Sequence, residues 1–157
     1  MFKKIVLTLV VVFSILTVNA QAFSKGNIGL NLGLGFGFIG DLTPAGHFSA
    51  EIGVIPVGKA GTVSFGGNVD FNVYDFTQLR THVAFRSAFH LGFLNTRKLD
   101  IYAGIASGIR LYDHVYAQPV YFDEFVGLRL KIKRNMGLFF EAGYGVTSLK
   151  GGICWIL

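Results

Sequence analysis

Seven ionisable side chains are set at alternate positions into otherwise apolar or glycine-rich stretches: Glu51, Asp70, Arg86, Arg110, Arg129, Lys131 and Glu141. Charges in such surroundings have to be paired with one another. Two chemistries would use them, a carboxylate pair working as acid and base or a charged path for ions. The purely structural outcome is a salt-bridged interior in place of an apolar core, and the narrowness of the enclosure described below favours it. Beside these charges, His47, Ser49 and Glu51 fall on one side of an extended chain, and they are the residue types that a base, a hydroxyl nucleophile and an orienting acid require. Glu51 follows Ser49 too closely for that arrangement, and all three point to the face that carries the other charges. His82 and His90 share that face as well, but eight residues at about 3.3 Å each hold them too far apart for one metal ion. The glycines alternate within extended segments and open no helix, so no phosphate-cradling loop is present. These patterns assign no catalytic, cofactor-binding or metal-ligating residue and imply no cofactor.

The elements that must position these residues are strands, because period-two alternation runs from residue 28 to the end. In the clearest case Ile28, Leu30, Leu32, Leu34, Phe36 and Phe38 alternate with Gly29, Asn31, Gly33, Gly35 and Gly37. The same alternation predicts strands over 48–54, 63–73, 82–91, 99–111, 125–132, 138–146 and 149–157. Eight such strands have the length that crosses a bilayer when tilted. Their connections alternate in kind: 58–61, 95–98 and 133–135 are tight, whereas 40–46, 75–80 and 112–121 are longer. Thr147-Ser148 is tight where a longer loop is expected.

One face of every strand is built from Ile, Leu, Val and Phe, and the other largely from Gly, Ala and isolated charges. A soluble up-and-down barrel would turn the apolar face inward and cover its outside with Lys, Glu and Thr. Small residues suit the inside of a narrow barrel, which leaves the apolar face for hydrocarbon. Phe38, Phe48, Phe93, Tyr144 and Trp155, near strand ends, suit interfacial girdles. The interior of eight strands is only wide enough for side chains, and Tyr74, Tyr102, Phe125, Phe139 and the charged layer are predicted to fill it.

Composition agrees. The chain is 52% hydrophobic and only 15% charged, against about 25% charged in soluble domains. After residue 20 no apolar run approaches the roughly 18 residues of a spanning helix. Residues 1–20 read as a cleavable signal peptide, with Lys3 and Lys4 before an apolar stretch over 5–18 and the small-residue pattern Val18-Asn19-Ala20 at its end. Residues 21–157 then form one barrel domain. The leader removes two of the 14 Lys and Arg and none of the nine acids, leaving a net charge of +3. That excess is mild, and its residues are scattered apart from Lys131-Ile132-Lys133-Arg134, so nucleic acid is not an expected partner. Cys154 is the only cysteine, so no internal disulfide staples the exported chain.

On the leader, the strand count, the glycine-rich face and the segment Glu141-Ala142-Gly143-Tyr144-Gly145-Val146, residues 23–157 resemble the eight-stranded outer-membrane barrel families, such as the transmembrane domain of outer membrane protein A and outer membrane protein X. Barrels of that kind commonly end in an aromatic residue; this chain ends in Leu157, with Trp155 two residues before it. The resemblance implies an all-β, eight-stranded antiparallel up-and-down transmembrane β-barrel in the outer membrane of a Gram-negative bacterial cell. A complete barrel pattern without a convincing catalytic constellation points to a non-enzymatic structural or adhesive role, and the narrow interior of eight strands to a plugged lumen. The protein's partners would be outer-membrane lipid, the outer-membrane assembly machinery and an extracellular ligand held by loops 40–46, 75–80 and 112–121. Two alternatives stay open. His47-Phe48-Ser49 is similar to the His-x-Ser of the outer-membrane lipid A deacylases, which would make the protein a lipid-modifying enzyme, and a porin-like small pore is the other.

Overall fold

A computed structural model describes residues 22–37, 42–74, 78–111 and 120–157, with the backbone alone at Tyr74. The expected signal peptide, Phe38 and, of the expected loops, residues 40–41, 75–77 and 112–119 lie outside these residues. The described residues form eight strands: β1 (Ile28–Gly37), β2 (Thr43–Pro56), β3 (Gly61–Tyr74), β4 (Gln78–Leu91), β5 (Leu99–Leu111), β6 (Val120–Lys131), β7 (Met136–Tyr144) and β8 (Leu149–Ile156). Each pairs antiparallel with the next, and β8 pairs back onto β1. The sheet is a closed all-β, up-and-down barrel, and closure leaves no unpaired edge.

Alternation sorts the side chains as the sequence predicts. Leu34 is 76% exposed on the outer wall, Ile105 64% and Phe140 63%, while Asn31, Tyr102, Arg129 and Phe139 are fully enclosed. The interior is small because β1, β5, β6 and β8 set glycines where rings cross. A Cβ at Gly127 would lie 2.5 Å from the Tyr102 ring, and one at Gly104 would lie 2.5 Å from Phe125 Cζ. Ala84, Ala88, Ala106, Tyr102, Tyr121 and Phe125 form the apolar part of the inside.

Three strand starts lie well before those the alternation predicts. β2 starts at Thr43, β4 at Gln78 and β6 at Val120, so each predicted loop gives up residues to a strand. The early start of β6 follows from pairing: Tyr121 and Phe122 lie opposite Gly108 and Ser107 of β5, and the ladder continues as long as β5 offers partners. The wall is also uneven, with β2, β3 and β4 at 14 residues but β7 at nine and β8 at eight. That low side explains the tight connection at Thr147-Ser148. It also turns Val146 inward, against the outward position predicted for it: β7 stops at Tyr144, the Val146 N–H donates to Asp123 Oδ1 at 3.0 Å, and the side chain packs on the interior cluster.

Residues 22–27 close the other mouth, at the end of the tight turns. Gly26 N–H donates to the Gly53 carbonyl, Gly53 N–H donates to the Asn27 carbonyl, and the Asn27 amide donates to the Leu157 carbonyl. The segment thereby extends the sheet where the register of β2 shifts between Gly53 and Ile55. Phe23 enters the barrel and is fully buried.

Candidate functional site: an ion-paired layer across the interior

Glu51 on β2, Arg86 on β4, Arg129 on β6 and Glu141 on β7 meet at mid-height. Each points inward from its strand, Arg129 from the third-to-last place of β6, and the narrow interior leaves them one volume to share. Glu51 accepts from Arg129 in a close ion pair, and its second oxygen lies 3.5 Å from Arg86 Nε. Arg86 Nη2 donates to Glu141 Oε1 at 2.8 Å. The four charges therefore form one chain of ion pairs from β2 to β7, as a single layer requires.

Neighbours complete it. Arg129 Nη1 donates to Asp100 at 3.3 Å and its Nε to Asn31 Oδ1 at 2.9 Å. The Tyr102 hydroxyl donates to Glu141 at 2.9 Å, and Lys150 Nζ lies 3.6 Å from the other Glu141 oxygen. The guanidinium carbons of Arg86 and Arg129 lie 4.3 and 4.6 Å from the ring centroids of Phe125 and Tyr102, so the aromatic faces take up cation surface that the carboxylates leave uncovered. A low-dielectric enclosure makes each of these bonds strong and each unpaired member costly.

The structure does not assemble His47, Ser49 and Glu51. His47 Nδ1 bonds Asp70 at 2.8 Å, Ser49 accepts from Asn31 at 3.0 Å, and Glu51 belongs to the arginines. A different trio does come together: His90 Nδ1 lies 2.9 Å from Asp100 and its Nε2 lies 3.1 Å from Ser64 Oγ. This chain has the spacing of a serine nucleophile, a base and an orienting acid. Its surroundings remove the chemistry. Ser64 Oγ also lies 3.0 Å from Glu51 and 3.3 Å from the Ala88 carbonyl, so His90 competes with two other acceptors for its one hydroxyl proton. Ser64, His90 and Asp100 are completely buried, and Phe23 lies on the His90 ring.

Toward the loop end the network thins. His82 meets the edge of Tyr121 and half-buried Arg110 lies over the same ring. The Tyr121 hydroxyl, Asn68 Oδ1 and Thr147 Oγ1 are buried and meet no hydrogen-bond partner among the described residues. Lys131, predicted to face inward, is half-buried at the end of β6. Among the described residues no group of three or more His, Cys, Asp or Glu is placed to hold a metal ion, and Cys154 is a buried free thiol.

Sequence reasoning did not count Asp100, Asp123 or Lys150 among the inward charges, although all three are buried. Asp100 and Lys150 sit in phase with Tyr102 and Cys154, which alternation alone exposes. Asp123 was hidden because β6 was started too late. The trio of Ser64, His90 and Asp100 has no sequence signal, since β3, β4 and β5 bring it together only through register.

Fold and interior together define a closed eight-stranded antiparallel β-barrel with an ion-paired lumen. Comparison of the chain with protein-family models, with curated proteins and with solved structures finds no match.

Proposed function

We propose that the protein is an integral outer-membrane barrel of a Gram-negative bacterial cell, exported by cleavage of residues 1–20, with a non-enzymatic structural or surface-interaction role. The observation that carries this reading is the inversion of polarity between the two faces. Twenty buried residues are polar or charged, while the outer wall exposes Leu32, Leu34, Phe85, Ile105, Val126, Phe140 and many others of their kind. In water that arrangement loses hydrophobic stabilisation on the outside and buries charge on the inside. In a bilayer both faces are matched. Strands of 12 to 14 residues over β2, β3, β4 and β6 exceed the roughly 9–11 that a tilted transmembrane strand needs.

The loop end, at residues 40–46, 75–80 and 112–121, faces the exterior in this reading and is where an extracellular ligand would bind. Assembly machinery would read the C-terminal strand ending Trp155-Ile156-Leu157. The lipid-modifying alternative needs a nucleophile open to lipid. His47, Ser49, Ser64 and His90 are all enclosed, which supports the non-enzymatic role. The close packing of Glu51, Arg86, Arg129 and Glu141 likewise supports a plugged lumen over a pore.

The test is insertion. The refolded chain without residues 1–20 is mixed with phospholipid vesicles and floated on a density gradient. It should rise with the vesicles, resist carbonate extraction and migrate on gels as a heat-modifiable band. A chain that stays soluble and folded without detergent or lipid overturns the proposal. Mass spectrometry of lipid A from cells with and without the protein tests the enzymatic alternative, which a changed acyl pattern would establish.

A further inference from the structure

Glu124 is the one charged residue on the outward face of the described strands. It is exposed on β6, paired across the ladder with Ile105 on β5 and Tyr144 on β7. It makes no ion pair among the described residues. Tyr144 is the last residue of β7, so Glu124 adjoins the low edge of the wall on that side, while β6 itself runs on to Val120. One step down the wall, Ala103, Val126 and Ala142 form the next cross-strand row. Two alanines flanking a valine leave a dent between the larger Ile105 and Tyr144 above. This dent is a groove of about 530 Å³ lined by both rows, within the roughly 300–1,000 Å³ of small-molecule sites.

We propose that the groove is a lipid site, in which one acyl chain lies over Val126 between Ala103 and Ala142 and a headgroup ammonium pairs with Glu124. The inference rests on the membrane reading above and adds a ligand to it. Three features favour this occupant. The floor of Ala103, Val126 and Ala142 is apolar, which suits an acyl chain. The carboxylate is the one charge on this outward face and stands beside the end of β7, and a lipid-facing charge costs less the nearer it lies to the interface. Its sign selects a cationic group and repels a lipid that carries phosphate alone. Tyr144, 74% exposed beside it, has the apolar body and polar tip of an interfacial residue.

The experiment uses the refolded barrel in bilayers of equal parts phosphatidylethanolamine and phosphatidylglycerol with identical acyl chains, so the ammonium is the variable. Lipids retained after mild detergent extraction are counted by native mass spectrometry. Wild type should retain the ethanolamine lipid about fivefold over the glycerol lipid, the ratio one exposed ion pair supplies. Glu124→Gln should bring that ratio close to one, and Ala142→Leu, which fills the groove, should lower retention of both. Both substitutions lie on the outer wall, and each variant's heat-modifiable migration verifies its fold. Equal retention by wild type overturns the site, as does a preference that survives Glu124→Gln. A detergent-stable dimer that Ala142→Leu splits would assign the groove to a second copy and overturn the lipid. Failure to float with vesicles would bring down the membrane reading and this site together; a chain that floats without preference brings down the site alone.

Discussion

Phe23 lies stacked on His90, with ring centroids 4.0 Å apart and 14° between the planes. The contact joins the segment before β1 to the inner face of β4, and the Arg129 guanidinium stands 5.5 Å from the Phe23 ring on its other flank. Gly29 and Gly53 make room for it: a Cβ at either would come within 3.1 Å of the ring. The N-terminal segment is thus the stopper of the tight-turn mouth, and His90 is its seat.

Phe23→Ala should accordingly destabilise the barrel by about 3 kcal/mol, the low end for a deleted buried phenylalanine because water can follow into the mouth. Urea titration of the refolded protein in vesicles measures the loss. His90 should also become reactive to diethylpyrocarbonate in the folded state. Unchanged stability together with an unreactive His90 would show that the stacking closes nothing.

The ion-paired layer makes a second prediction. Arg86→Ala leaves Glu51 to Arg129 and leaves Glu141 with Lys150, 3.6 Å away, and the Tyr102 hydroxyl, and breaking one side of a buried pair costs about 3–5 kcal/mol. Adding Glu141→Gln should return part of that loss, because the carboxylate that lost Arg86 is then uncharged. If the double variant is as unstable as the sum of the two single ones, the pair is not coupled.

Conductance should be absent. Tyr102, Phe139, Arg86 and Arg129 are all within 1% of full burial, and the interior of eight strands is only wide enough for side chains. Single-channel recording with purified protein in a planar bilayer decides it: large, stable open steps in wild type would refute the plugged lumen.

On the outer wall, Leu32→Arg or Ile105→Arg should reduce folding into lipid by about 2–4 kcal/mol, while Leu32→Met should be nearly silent. Gly33→Ser, which alternation suggests as a mild inward control, is not one. Its Cβ would press on the Gly151 carbonyl and lie 2.8 Å from Phe139 Cζ. Equal folding of Leu32→Arg and wild type would invert the assigned faces.

Gly127→Ala tests the inside at its tightest point. The added methyl would meet the Tyr102 ring at 2.5 Å, and moving that ring strains its hydroxyl bond to Glu141. Overpacking of this kind costs about 1–3 kcal/mol. A thermal shift assay in detergent would show a lowered midpoint, and no shift would mean that Tyr102 has room to move.

Much of the barrel is legible in the chain because a strand's side-chain period is two. Leu32 and Leu34 outside and Asn31 and Gly33 inside follow from position parity alone, as does the inward pointing of Glu51, Arg86, Arg129 and Glu141. Strand ends are less legible. β6 begins at Val120 because β5 supplies partners there, and a ladder's length belongs to both strands. Glu124 was missed for that reason, and the dent beside it needs three strands in register to exist at all.

By itself, the sequence determined the class of fold, the outward and inward faces and the need for charges to pair, since each depends on local alternation and on the cost of an unpaired buried charge. Only the tertiary structure decided who pairs with whom: that His47 serves Asp70 and not Ser49, that Ser64, His90 and Asp100 come within hydrogen-bond reach, and that Phe23 seals one mouth. Those relationships cross from strand to strand, and their geometry is set by the stagger with which eight strands close on themselves, which no single strand encodes.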